Sequence, residues 1–289
     1  MHEPVESDSG FEPNRRRLFG LAYRMLGSRA EAEDVVQDAF VRWHQSDRSA
    51  IRNAEAWLVT TATRLAIDRL RALKTEREAY VGPWLPEPMM RDHPPSPDHH
   101  VELAADLSMA FLVLLERLGP EERAAFLLHD VFDFGYAEIA TVLDKSEDAC
   151  RQIVSRARSR VRSERQRFQP KEAERLSLLQ RFREALEARD EQTLLKLFAP
   201  DATWTADGGG KTAASPRPIE GAAKIVRLVL TLRERLQTGV TELDLVDVNG
   251  ETGLRVRSHG QVIAVMSMLT DGEQIHAVYA VVNPDKLRP

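Results

Sequence analysis

The chain has 289 residues, 43% hydrophobic and 29% charged, enough for two or three domains that each bury a core. Its formal net charge of −5 excludes a uniformly basic nucleic-acid binder, so any such contact must come from segregated basic patches. A single cysteine, Cys150, excludes a disulfide framework and a thiolate metal cluster and fits a reducing cytoplasm.

The acidic start, MHEPVESDSGFEP, lacks the basic and apolar regions of a signal peptide, and no apolar run reaches membrane-spanning length, so no membrane partner is expected. Residues 15–77 are helical and basic, with thirteen Arg/Lys against eight Asp/Glu. Leu18, Leu21, Ala22, Met25 and Leu26 form one stripe that Gly27 ends. Ser28 and Glu31 predict a capping box for a second helix. That helix turns Val35, Val36, Ala39, Phe40 and Trp43 inward and Asp34, Gln37 and Asp38 outward. A third helix starts near Asn53, with Trp57, Leu58, Leu65, Ile67 and Leu70 apolar. Its polar side carries Thr60, Thr61, Arg64, Arg69, Arg71 and Lys74, a hydroxyl and cation surface suited to a nucleic-acid backbone.

Residues 78–106 hold seven Pro or Gly with several acids, the composition of an extended acidic linker. From Glu78 to Leu103 it spans up to about 85 Å when extended. His93, Asp98, His99 and His100 can be read as metal ligands, but a mobile proline-rich loop rarely prearranges a site.

Tyr136 to Arg162, YAEIATVLDKSEDACRQIVSRARSRVR, reads as a helix-turn-helix running into an arginine ladder. Ile139 and Leu143, then Cys150 and Ile153, give each helix an apolar stripe, and Ala140 permits a close crossing. Asp144-Lys145-Ser146 makes a turn that favours an angled crossing, with Ser146 capping the second helix. Asp144 stands where glycine is common and tolerates the left-handed conformation less well. An ordinary helical hairpin is the competing reading. Against it stands the exposed face: Arg151, Gln152 and Ser155 project where base edges are read, and Arg156, Arg158, Arg160 and Arg162 follow where phosphates lie. Nine basic residues fall between Lys145 and Lys171 in a chain that is net acidic.

Beyond Lys171 two helices, about 172–188 and 191–198, lead to a strand at 203–206, a glycine loop and a helix at 221–236. Strand-like runs at 240–248, 252–258, 261–270 and 274–282 complete an α+β pattern. Asp207, His259, His276, Trp204 and Tyr279 are residue types a proton-transfer enzyme uses, yet no spacing ties them together. The Asp207–Lys211 loop, DGGGK, lacks the wider phosphate-loop pattern; an interdomain contact is the stronger reading.

The run RAEAEDVVQDAFVRWHQ, the run AWLVTTATRLAIDRLR and the YAEIA helix-turn-helix, in this order, resemble a bacterial sigma factor of the extracytoplasmic-function group over residues 15–77 and 105–168. WLPEP at Trp84–Pro88, DGGGK, and NPDKL near the end resemble its subgroup with a C-terminal SnoaL-like extension, similar to nuclear transport factor 2. The resemblance implies a multidomain fold. After a flexible start at 1–14 come an all-α sigma2 bundle at 15–77, the linker at 78–106, an all-α sigma4 helix-turn-helix domain at 107–169 and an α+β cone at 170–289. Asp34, Gln37 and Asp38, with Val35 and Phe40, would grip the clamp helices of the β′ subunit of core RNA polymerase; the two apolar residues serve equally well as core. Arg48, Arg52, Arg64 and Arg69 would hold the melted −10 strand. Trp57 is a stacking platform or, on its apolar face, a core residue. Arg151, Gln152, Ser155, Arg156 and Arg158 would contact the −35 element of promoter DNA. Trp84, Asp207, Lys211 and Asp285 would form an interdomain regulatory contact.

The reading is a non-enzymatic sigma factor, needing no cofactor or metal and regulated in cis by its C-terminal domain. Its main rival is a DNA-binding regulator that senses a small-molecule ligand through that domain without touching polymerase. An enzyme with a DNA-binding appendage is the other.

Overall fold

The computed structural model describes residues 10–94, 107–165, 170–236 and 241–287; Asp98, His99, His100 and the Arg162 side chain lie outside the described residues. The chain divides into two compact units, Met1–Glu78 with Leu114–Val161 and Ala79–Val113 with Arg162–Pro289.

In the first unit, helices α1 (Glu12–Leu26), α2 (Arg29–Gln45) and α3 (Ala54–Glu78) pack pairwise. The whole apolar stripe of α1 is buried, and Gly27 ends the helix in the left-handed conformation (φ 67°). The helix starts at Glu12, earlier than residue 15, because Pro13 sits in its first turn and Phe11 is buried beside Phe40. Ser28 caps α2 through the Glu31 N–H at 3.5 Å, while the Glu31 carboxylate meets Arg69. Helix α4 (Met109–Leu115) leads to α5 (Pro120–Asp130), α6 (Tyr136–Leu143) and α7 (Glu147–Arg165).

Contacts of α5 with both α1 and α3 join the two helical groups. Their centre is ionic. Arg123 on α5 is 2% exposed and donates to the Met25 carbonyl (2.5 Å) and to Glu116 (2.7 Å). Arg77 on α3 donates to the Leu26 carbonyl (2.5 Å) and also pairs with Glu116. Both carbonyls belong to the last turn of α1, where the helix has no partners of its own to offer and its dipole favours cations.

In the second unit, α8 (Glu172–Ala188), α9 (Glu191–Leu197) and α10 (Ala222–Leu236) accompany seven strands: β1 (Met90–Arg91), β2 (Phe198–Asp207), β3 (Ile219–Glu220), β4 (Thr241–Val248), β5 (Glu251–Ser258), β6 (Gln261–Thr270) and β7 (Ile275–Val281). The sheet order is β1-β4-β5-β6-β7-β2-β3. Each neighbouring pair is antiparallel except β2 and β7, which are parallel, so the sheet is mixed. The connection from β2 to β7 runs through α10 and four strands, long enough for the crossover that a parallel pair requires. Irregular register in β2, β5 and β6 marks bulges, which bend strands. Leu178, Phe182, Trp204, Ile225, Leu254 and Met268 fill the core between helices and sheet. This is the expected α+β cone.

The opposite sheet face is not open. Val246, Val248, Val265 and Val281 form a second cluster with Leu85 from the linker, Met109 from α4 and Leu287. Residues 79–94 therefore dock on the C-terminal domain rather than serving as a solvated spacer.

Replacing Glu116 with alanine removes the counter-charge of two arginines, one of them buried. It is expected to destabilise the first unit by about 3–5 kcal/mol, read as a lower urea midpoint; an unchanged midpoint would show that water satisfies these cations.

Candidate nucleic-acid and polymerase interfaces

The helix-turn-helix forms as its pattern predicts. Ile139 and Val142 on α6 and Cys150, Val154 and Ala157 on α7 are buried, with Leu143 half-buried. Burial pushes the Cys150 thiol pKa up, so this group is no ready nucleophile. Asp144 takes the left-handed conformation (φ 54°), which short acidic side chains adopt more readily than most. Ser146 Oγ accepts the Ala149 N–H at 3.2 Å. Arg151, Gln152, Ser155 and Arg156 are exposed along α7. Arg158 is half-buried, its Nε donating to both oxygens of Asp130 at 2.8 and 3.0 Å, and Arg160 pairs with Glu122 at 2.8 Å. The lower part of the arginine ladder is thus tied to α5.

On the first helical group, Asp34, Gln37 and Asp38 share an exposed face of α2, while Val35 belongs to the core and Phe40 is half-buried. Phe40 packs against Phe11 and His44, with ring centroids 5.0 and 4.1 Å away. The loop before α3 contains a short 3-10 turn, Arg48–Ala50, capped by Asp47, which accepts from Ser49 N and Oγ. Those two hydrogen bonds hold the Asp47 carboxyl below its ordinary pKa. Arg48 lies 5.4 Å from the Trp43 ring centroid, and Arg52 is exposed. Trp57 is half-buried with its ring 5.5 Å from that of buried Trp43.

The other two arginines assigned to the −10 strand are engaged inside the protein. Arg69 pairs with Glu31, and Arg64 donates from Nε to the Val142 carbonyl (2.9 Å) and from Nη2 to that of Thr141 (2.7 Å). These carbonyls end α6, so Arg64 caps the first helix of the helix-turn-helix. Arg71 and Lys145 also share Glu121, at 2.7 and 3.1 Å. The hydroxyls of Thr60 and Thr61 donate to carbonyls of their own helix, Ala56 and Trp57, rather than projecting as free donors.

In the second unit the WLPEP, DGGGK and NPDKL segments converge. Asp207 is fully buried and accepts from Tyr80 Oη (2.5 Å), Leu85 N (2.8 Å) and Lys286 Nζ (2.7 Å). Burial and the carboxylate raise the Tyr80 pKa, so the phenol stays a donor. The Lys286 ammonium sits 4.1 Å from the Trp84 ring centroid and 5.0 Å from that of Tyr80, and it also donates to the Leu85 carbonyl (2.6 Å). Lys211 pairs with Asp285. Gly209 and Gly210 have φ of 58° and 71°; a Cβ on the first would strike Asn283 and Tyr80. The glycines thus allow linker and loop to approach closely. Tyr80, Asn283 and Lys286 belong to this contact but not to the residues expected to form it, although Asn283 and Lys286 lie within NPDKL.

The residue types of an enzyme are not brought together. Asp207 is committed to the linker, His276 pairs with Asp271 at 2.8 Å, and His259 occupies a turn with φ 50°. Trp204 packs in the helix-side core and Tyr279 against the opposite cluster. Among the described residues no group of three His, Cys, Asp or Glu is arranged to hold a metal, and no helix is long and apolar enough to cross a membrane.

Comparison with known proteins accounts for the order of these parts. Residues 11–76 match the family described as Sigma-70 region 2 and residues 108–161 that described as Sigma-70, region 4. The chain is 38% identical to the ECF RNA polymerase sigma factor SigJ of Mycobacterium tuberculosis, the alignment covering 96% of this chain and 92% of that protein. It is 28% identical to the probable ECF RNA polymerase sigma factor SigI of the same species, over 100% and 97%. The crystal structure of SigJ superposes with a TM-score of 0.77 at 35% identity, covering 96% of this chain and 97% of that one. The chain belongs to the extracytoplasmic-function RNA polymerase sigma factors.

Proposed function

We propose that this sigma factor grips the β′ clamp helices of core polymerase through Asp34, Gln37 and Asp38, and works in the cytoplasm without catalysing a reaction of its own. Arg151, Gln152, Ser155 and Arg156 read the −35 element, with Arg158 contributing once it leaves Asp130. Arg48 and Arg52 track the −10 strand, joined by Arg64 and Arg69 once they leave their internal partners. The conformer described above is a resting state. In it Arg64 serves α6 of region 4 rather than DNA, and the −10 and −35 modules pack on each other.

The observation that carries the regulatory part is the capture of the linker by Asp207. Promoter elements two helical turns apart are separated by roughly 70 Å. A free linker reaches that far. A docked one does not, because Leu85 and Met109 are held in the same apolar cluster. Release of the linker is then the step by which the C-terminal domain licenses opening, a shift between two populated conformers.

Three outcomes are expected. Asp207→Ala removes the shared acceptor of the linker and should speed hydrogen exchange at the Leu85 amide by about tenfold or more, the scale of one lost buried hydrogen bond. It should also raise promoter-specific transcription with core polymerase; unchanged exchange and unchanged transcription would contradict the linker's role. Reversing the charge of Asp34 and Asp38 should abolish co-purification with core polymerase, whereas retained binding would move that interface elsewhere. Finally, Arg151→Ala should relax preference at one −35 position while Arg158→Ala weakens all promoters alike; equal effects on specificity would overturn this division.

A further inference from the structure

The recognition helix carries a side chain already aimed before DNA arrives. Arg151 is exposed in its first two turns, where an unrestrained guanidinium would sample many rotamers. Here its guanidinium carbon lies 4.5 Å from the ring centroid of Tyr136, the first residue of α6, and its Nη2 meets Glu147 at 3.3 Å. Tyr136 is itself held. Its backbone starts at Gly135, whose N–H donates to Glu138 at 2.8 Å, and its ring packs against that of His129 at 4.4 Å and 44°. His129 Nδ1 donates to the Phe134 carbonyl at 2.9 Å, which fixes the imidazole plane. Imidazole, phenol and guanidinium thus form one chain of ring contacts running from α5 through α6 to α7.

We propose that Tyr136 is a positioning residue for −35 reading: the tilted His129–Tyr136 ring pair presets the Arg151 guanidinium for a base edge. This deepens the assignment of Arg151 as a base reader and rests on it. A planar fork held on an aromatic face keeps its outward N–H groups free for a bidentate acceptor. Holding it before contact lowers the ordering cost at the moment of binding. Glu147 alone is a weak restraint, since both partners of that pair are about half exposed. The aromatic face supplies the second fixed point. Specificity at a single base pair should therefore depend on a residue that reads no base itself.

The test uses full-length protein with core polymerase on promoters varied one base at a time across the −35 element. Arg151→Ala identifies the position that Arg151 reads. At that same position Tyr136→Ala should reduce discrimination by about fivefold or more, within the range of a bidentate base contact. Tyr136→Leu, which keeps apolar bulk but loses the π face, should do the same, and it decides the question if the alanine variant does not fold. Tyr136→Phe should restore wild-type preference. Adding Tyr136→Ala to Arg151→Ala should cause no further loss of discrimination. If the Tyr136 variants weaken all promoters equally, or Tyr136→Leu retains full discrimination while Arg151→Ala loses it, the positioning role is overturned and Arg151 stands. If Arg151→Ala alters no position, the base-reading assignment fails as well.

Discussion

A buried arginine cannot be left without a counter-charge, and in this protein that constraint joins the two promoter-recognition modules. Arg123 of region 4 sits beneath the C-terminus of α1 in region 2, donating to Met25 and neutralised by Glu116, which Arg77 also pairs. Helix ends expose carbonyls that need donors, and guanidinium groups supply several from one side chain. Arg64 repeats the device at the end of α6. The same residue chemistry that suits a phosphate backbone therefore holds the closed packing together. On the proposed assignments DNA would compete for some of these groups, which would make promoter binding both an electrostatic and a conformational event.

The C-terminal domain applies the inverse arrangement. There the buried group is an acid, Asp207, and linker donors converge on it with Lys286 as counter-charge. Removing any donor leaves a charged group partly unsatisfied in a dry site, so the contact favours one linker geometry over a continuum of looser ones. Trp84 and Tyr80 cover the ammonium and exclude water from the pair. Phe182, Trp204, Leu254 and Met268 pack together on the helix side of the domain's sheet, and Asp207 is engaged by the linker.

The local pattern carried much of this. Period-3.6 stripes located α1, α2, α3, α6 and α7 but not α4 and α5, and alternation in 261–270 and 274–282 located β6 and β7, because each signal lies within one element. What escaped depended on partners distant in sequence. The parallel pairing of β2 with β7 links strands about seventy residues apart, and nothing in either strand's own alternation distinguishes a parallel neighbour from an antiparallel one. Arg64, Arg69 and Arg158 read as free cations because Val142, Glu31 and Asp130 are not visible from a helix wheel. The linker read as extended and mobile because prolines and acids are what such linkers contain. Its apolar residues, Leu85 and Met90, were the available sign that one face is covered.

On the proposed mechanism, free protein keeps regions 2 and 4 packed together, and engagement of polymerase and promoter separates them. A distance measurement between spin labels at exposed Arg16 and Ser159, neither assigned to DNA or polymerase, tests this most directly. A single short distribution is expected for the free protein, replaced on addition of core polymerase and promoter by one longer by tens of ångströms, toward the roughly 70 Å of two helical turns. Distributions that coincide in the two states would contradict the account.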